Sequence, residues 1–197
     1  HGNDSKGGPR RPKIIYFIGC NNVRVQDVTL RNSAYWTQDY EKCNGVIVRG
    51  VKVYSHANWN NDGLDIDSRN VVVSDCYIDC DDDALCLKSD TDTPCENVTV
   101  TNCVLKSNCN AIKFGTSSYS GFKNVTISNC TIDRASEDHI RQWYKNYPWI
   151  GTKHKTVVAG IALESVDGGI IENVSISDIA MQGVQTPIFV RLGDRKR

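Results

Sequence analysis

The stretch NNDGLDIDS at residues 60–68, read together with DDDALCLKS at residues 81–89, decides the fold. With Gly63 set on Ala84, Leu64 falls on Leu85, Ile66 on Leu87, Ser68 on Ser89 and Asp62 on Asp83, at a constant offset of 21 residues. Each segment is a short strand of alternating apolar residues that follows an aspartate at the same place. If successive turns of the chain stack in register, Asp62 and Asp83 lie side by side, ~4.8 Å apart along the stack, with Asp82 beside them. Three carboxylates in one spot are costly unless they share protons, bind a cation or do acid–base work.

Working outward, the same rhythm runs through the chain. Copies of one pattern begin at Cys20 (CNNVRVQDVTL), Cys43 (CNGVIVRGVKV), Ser68 (SRNVVVSDCYI), Cys95 (CENVTVTNCVL), Phe122 (FKNVTISNCTI) and Ile171 (IENVSISDIAM). Their starts are separated by 23, 25, 27, 27 and 49 residues, so the last gap holds two periods, or one with an insertion. Each copy alternates β-branched residues with period two, the mark of a strand with one buried face. Asparagine precedes each strand except in the second copy, where Gly45 takes that phase after Asn44; asparagine tolerates the left-handed conformation and marks a turn. A second short strand recurs between copies: LDIDS, ALCLKS, AIKFGT, IALES and PIFVRL. Strands at ~25-residue spacing without a helical pattern between them predict an all-β chain, a right-handed parallel β-helix, in preference to a β-sandwich. The sequons at Asn97 and Asn124 fall on the repeat turn and are read as turn residues, not glycosylation sites.

Length and charge narrow the function. A chain of 197 residues suits one domain, and a formal net charge of zero gives no field toward nucleic acid or membrane. No apolar run of ~18 residues spans a bilayer, and the polar start, residues 1–12, has no signal-peptide core. Nine cysteines are many, but Cys76, Cys103 and Cys130 stand 27 apart at one phase, as an interior row of reduced thiols would. No CxxC pair occurs, so structural zinc is not expected. Residues 133–159 break the rhythm with basic residues interleaved with Trp143, Tyr144, Tyr147 and Trp149. Such a loop either packs on its own aromatics or stacks on sugar rings and pairs with carboxylates. The repeat begins by residue 20 and the sequence stops just after a strand with no polar cap, so one β-helix domain cut at both ends is expected.

These residues resemble glycoside hydrolase family 28, the polygalacturonase group of pectin hydrolases. Asn60-Asn61-Asp62 matches the family's Asn-Thr-Asp, Asp82-Asp83 matches its Asp-Asp, and RPKIIYFIGCNNVRVQDVTLRNSAYWT resembles its early coils. The likeness implies a pectin-lyase-like β-helix, inverting hydrolysis, and a secreted or periplasmic protein. It also implies Asp82 as general acid, with Asp62 and Asp83 holding the attacking water, and Asn60 in the substrate site. Two family motifs are replaced. Cys109-Asn110-Ala111 stands for Gly-His-Gly, which puts Asn110 in the histidine's place, and Ala162-Leu163-Glu164 stands for Arg-Ile-Lys. In the family these residues serve catalysis and hold the uronate carboxylate.

Inverting hydrolysis needs one protonated acid at the leaving oxygen and one carboxylate behind a water, ~6.5–9.5 Å apart. Crowding of Asp62, Asp82 and Asp83 should hold a proton on one of them and open them onto one groove. Strand parity points Leu64, Leu85, Ile112, Ile161 and Ile188 inward. One outward row is then Asp65, Cys86, Lys113, Ala162 and Phe189, and the next Asp67, Lys88, Gly115, Glu164 and Arg191, with Asp67 beside Lys88. Lys113 is the candidate replacement cation for a substrate carboxylate, with Arg141 and Lys145 of the insertion as further arms. Three functions fit: a hydrolase of a pectic or related acidic polysaccharide, a calcium-dependent lyase, or a non-catalytic glycan-binding β-helix. The hydrolase is favoured, as a monomer without cofactor or metal.

Overall fold

The structure is a computed structural model and describes residues 11–137 and 157–195. Its ordered elements there are all strands, and every pairing is parallel. Strands stack into three faces of a solenoid of about six turns, the parallel β-helix expected from the repeat. The first face carries β1 (Ile15–Ile18), the start of β4 (Gln38–Arg49), the start of β6 (Leu64–Ser74), β8 (Leu85–Ser89), β11 (Asn110–Ser118), β13 (Val157–Ser165) and β15 (Val184–Leu192). The second holds β2 (Asn21–Gln26), the later parts of β4 and β6, β9 (Cys95–Thr101), β12 (Phe122–Arg134) and β14 (Ile171–Met181). On the third lie β3 (Thr29–Arg31), β5 (Lys52–Ser55), β7 (Tyr77–Cys80), β10 (Val104–Ser107) and the end of β12.

The corner between the first two faces explains the recurring asparagine. Asn22, Asn70, Asn97, Asn124 and Asn173 all have φ between 53° and 57°, and Gly45 fills the same phase at 76°. A left-handed residue costs most amino acids ~1–2 kcal/mol, and asparagine less. Their side chains form a ladder: Asn70 donates to Asn44 at 2.7 Å, Asn97 to Asn70 at 3.0 Å, Asn124 to Asn97 at 3.1 Å and Asn173 to Asn124 at 3.1 Å. Asn44 thus keeps the ladder running where glycine takes the turn.

The 49-residue gap is one coil with an insertion. Phe122 pairs with Ile171 and the register runs to Ile132 opposite Met181. The insertion leaves after Arg134 and returns at Val157, because the outer parts of 133–159 belong to β12 and β13. Its described ends lie at the corner between the third and first faces, the corner that also carries Asp62, Asp82 and Asp83. Both of its ends are tied there. Ala135 N–H donates to Ser107 O at 3.2 Å, Asn108 donates to Glu137 O at 3.0 Å, and Val158 N–H donates to Cys109 O at 2.8 Å. Buried Asp79, paired with His56 at 3.1 Å, accepts from Ser136 N–H at 2.9 Å.

Inward parity holds along the first face. Leu64, Leu85, Ile112 and Ile161 lie in register and buried. Ile188 keeps the register but is exposed, because β15 is paired along one edge only among the described residues. All nine cysteines are free thiols, and Cys76, Cys103 and Cys130 form the buried row expected, each leaning 3.2 Å onto the carbonyl two residues earlier. No helix of the described residues is long and apolar enough to cross a membrane.

The ladder predicts an ordering of variants at Asn97. Asn97→Ala forces alanine into the left-handed region and removes two ladder bonds, a loss of roughly 2 kcal/mol. Asn97→Gly keeps the backbone at ease and should lose less. Urea unfolding reads both; alanine no worse than glycine would show that the turn conformation is not what asparagine supplies.

Candidate active site

The aspartates reach one place because three turns stack at one corner. Gly63 N–H donates to Asp83 O at 2.9 Å, Leu64 N–H to Ala84 O at 3.0 Å, and Ala84 N–H to Asn110 O at 2.9 Å. Gly63 permits this approach: a Cβ there would lie 2.2 Å from Ile78 Cγ2 and 2.8 Å from Ala84 O. The 21-residue alignment read from sequence is therefore the physical stacking.

Within this corner the carboxylates are tightly held. Asn61, fully buried, accepts from Asp82 N–H at 3.1 Å, and Asp82 Oδ1 accepts from Asp83 N–H at 3.0 Å. Ser107 Oγ donates to Asp82 O at 2.6 Å. Asp83 is clamped on both oxygens: Oδ1 accepts from Asn110 Nδ2 at 2.7 Å and Oδ2 from Lys113 Nζ at 2.8 Å. Lys88 Nζ reaches Asp65 at 3.1 Å and Asp62 at 3.8 Å, and lies 4.1 Å from the Trp36 ring centroid. The nearest ligand-capable oxygens of Asp62 and Asp83 lie within 4.8 Å, as do those of Asp82 and Asp83. One water bridging two carboxylates by hydrogen bonds of ~2.8 Å needs about that spacing.

These neighbours set the charges. Burial, then Asp65 and Asp82, push the Asp62 carboxyl well above its usual range. Burial also pushes Asp65 up to about 7 against the pull of Lys88. Burial acts upward on Asp83 too, but Lys113, Lys88 and Asn110 outweigh it and hold its carboxyl below the usual value. The site thus pairs a carboxyl whose pKa its surroundings raise, Asp62, with one whose pKa they lower, Asp83.

The structure brings Asp62, Asp82, Asp83, Asn60, Asn110 and Lys113 together, and corrects three expectations. The three aspartates do not open widely onto a groove: they are 3%, 8% and 2% exposed, with Asp82 the most accessible. Lys113 is not free for a substrate carboxylate, because Asp83, three residues before its register partner Cys86, takes its ammonium. Lys88 does not pair with Asp67. A lysine stem spans the diagonal to Asp65, and Asp67 instead accepts from Asp90 N–H at 3.0 Å and Thr91 Oγ1 at 3.4 Å. Asp82 and Asp83, adjacent in one turn, each bring one carboxylate oxygen within 4.8 Å of the other. Arg141 and Lys145 lie outside the described residues.

Sequence reasoning missed the wall beside the aspartates. Arg11 Nη2 donates to Asn60 Oδ1 at 3.2 Å, and Asn60 Nδ2 faces Asp82 Oδ2 at 3.5 Å. The Arg11 guanidinium lies between the Tyr35 ring at 4.8 Å and the Trp59 ring at 4.4 Å. Tyr35 stacks on Trp36 at 5.0 Å, and Lys13, paired with Asp39, stands 4.6 Å from Trp36. The signal available was composition alone: three aromatic residues in the two turns preceding the aspartate turns.

The comparisons with known proteins bear on this geometry. A sequence profile described as Glycosyl hydrolases family 28 matches residues 1–193. The chain belongs to glycosyl hydrolase family 28. A probable polygalacturonase of Arabidopsis thaliana is 32% identical over 83 residues, 41% of this chain and 18% of the relative. A probable polygalacturonase of Vitis vinifera is 29% identical over 84 residues, 42% of this chain and 17% of the relative. The chain therefore matches under a fifth of each relative's length. The crystal structure of a hyperthermoactive exopolygalacturonase from Thermotoga maritima is similar over 94% of this chain and 56% of its own, at 17% identity and a TM-score of 0.45.

Two predictions follow from the charges of this family 28 site. Lys113→Met removes the charge that keeps Asp83 ionised, so the pKa of Asp83 rises; carbon-13 titration of the aspartate carboxyls should show one of them moving upward, and Lys113→Arg should restore it. An unmoved titration would contradict the pairing. The second concerns stability. Asp65 and Asp67 titrate at about 7 and about 6 in the folded chain, above the ~4 of an unfolded one. The folded state then binds more protons between about pH 4 and 7, so stability falls as pH rises through that window. Melting temperature should be higher at pH 5 than at pH 8, and Asp67→Asn should reduce the difference; a flat profile would count against the buried carboxyls.

Proposed function

We propose that this chain is the catalytic β-helix of a glycoside hydrolase acting on a pectic or related acidic polysaccharide. The observation that supports the reading is the meeting of Asp62, whose carboxyl burial pushes up, with the lysine-held carboxyl of Asp83, beside the more exposed Asp82. Asp82 gives its proton to the glycosidic oxygen as the C1–O bond breaks. A water held between Asp62 and Asp83 attacks C1 and passes its proton to Asp83. Each product keeps a hydroxyl, and solvent returns the proton to Asp82. Inversion is taken from the family. A secreted or periplasmic monomer without cofactor fits this use.

Plain polygalacturonate should be a poor substrate. The family's arginine and lysine are Ala162 and Glu164, and both are buried. Each lost charge-assisted bond to a uronate is worth about 1.5–3 kcal/mol.

The test is incubation with a panel of pectic oligosaccharides, with product analysis by mass and proton NMR. Saturated products with an inverted anomer are expected. Asp82→Asn should lower kcat by about 10²–10⁴, the usual reach of general acid catalysis. A calcium-requiring product with ultraviolet absorbance would show elimination instead, a retained anomer would overturn inversion, and binding without turnover in the wild type would leave a glycan-binding module.

A further inference from the structure

We propose that Arg11 is a positioning residue for Asp82: its guanidinium fixes which way the Asn60 side-chain amide faces, and so presents the Asn60 NH2 group to the Asp82 carboxyl. This rests on the hydrolase reading and adds to that site a residue that acts through another.

Register brings Arg11 to this place. Arg11, Ala34 and Asn60 each stand five residues before one row of paired positions, Tyr16, Asp39 and Asp65. The three therefore share one corner in successive coils, and the Arg11 side chain runs along the stack past the second coil to the third. Nη1 donates to Ala34 O at 3.1 Å and to Trp59 O at 2.6 Å, and Nη2 donates to Asn60 Oδ1 at 3.2 Å. The Tyr35 and Trp59 ring centroids lie 4.8 and 4.4 Å from the guanidinium carbon. Hydrogen bonds from its edge and rings against it hold this buried group in one orientation.

A guanidinium only donates, so the Asn60 atom that meets it is the carbonyl oxygen. The NH2 group then turns the other way, where Asp82 Oδ2 lies at 3.5 Å. The second oxygen of Asp82 accepts from Asp83 N–H at 3.0 Å. Donors at both oxygens fix the plane of the carboxyl. The Asn60 contact is long, but it strengthens as Asp82 gives up its proton and becomes an anion, so it favours the transition state over the ground state. With the amide turned over, its oxygen would face that anion and repel it. Lysine cannot replace Arg11 here: an ammonium keeps the charge but lacks the fork that reaches Trp59 O and Asn60 at once.

The experiment compares Arg11→Lys, Asn60→Ala and the double variant of the full chain with the wild type by carbon-13 titration of Asp82, assigned through Asp82→Asn. Loss of an amide donor removes support from the anion, so the Asp82 titration should move to higher pH in Arg11→Lys and in Asn60→Ala. Both act through one amide, so the double variant should move no further than Asn60→Ala alone. A titration unmoved by Arg11→Lys, or shifts that add in the double variant, overturns the inference. In the wild type, the side-chain amide protons of Asn60 should shift along the same titration curve; amide protons that do not respond overturn it without any variant. On an oligosaccharide that the wild type cleaves, Arg11→Lys should lower kcat about tenfold or more, with KM changed less than about threefold. Unchanged kcat overturns the inference and leaves the hydrolase reading intact. No cleavage of any oligosaccharide by the wild type overturns the hydrolase reading, and the titrations then decide whether Arg11 sets Asn60 on Asp82.

Discussion

The hydrogen bonds that lock one coil onto the next at the corner entering the first face are what the site depends on. Gly63 to Asp83, Leu64 to Ala84 and Ala84 to Asn110 fix the phase of three turns at once. Once that phase is fixed, side chains of equal position form rows with the spacing of a β-ladder. Apolar rows fill the interior, where Leu64, Leu85 and Ile112 lie over one another. Polar rows at the corner have no such freedom: the aspartates must be near each other whatever their charge. A β-helix thus builds a carboxylate cluster from register.

Register also dictates how the cluster is kept from flying apart. Buried carboxylates in a row raise one another's pKa, and the chain answers with lysines one coil or one strand position away. Lys113 meets Asp83 from the next coil, and Lys88 meets Asp65 and Asp62 from the first face. The outcome is a division of labour by environment. Burial, Asp65 and Asp82 push the Asp62 carboxyl up despite Lys88 at 3.8 Å, whereas Lys113 and Lys88 outweigh burial at Asp83 and hold its carboxyl down. The Lys88 ammonium also lies 4.1 Å from the Trp36 ring centroid, a cation–π contact. Both ammoniums are thereby taken up by buried carboxylates.

Much of this was legible in the residues, and the limits are instructive. Strand alternation and recurring asparagine report backbone geometry directly, so the β-helix, the inward row and the stacking of Asp62 on Asp83 followed from spacing. The thiol row at Cys76, Cys103 and Cys130 followed from the same phase argument. What escaped was the behaviour of long side chains. Parity says that Lys88 and Lys113 point outward, but not which carboxylate a four-carbon stem reaches. Lys88 was placed beside Asp67 and Lys113 beside a substrate, and both turned instead to buried aspartates. The Arg11–Tyr35–Trp59 contacts join residues up to 48 apart through rings, which no local pattern encodes. The position of the insertion, by contrast, could be read only after the 49-residue gap resolved to a single coil.

The central claim is that Asp62 and Asp83 hold the attacking water while Asp82 protonates the leaving oxygen. A crystal structure of the Asp82→Asn protein with an uncleaved pectic oligosaccharide tests this most directly. The account predicts a scissile oxygen within hydrogen-bonding distance of residue 82, a water between Asp62 and Asp83 facing C1, and Lys113 still bonded to Asp83. A sugar bound away from this corner, or one whose carboxylate has taken Lys113 from Asp83, would contradict it.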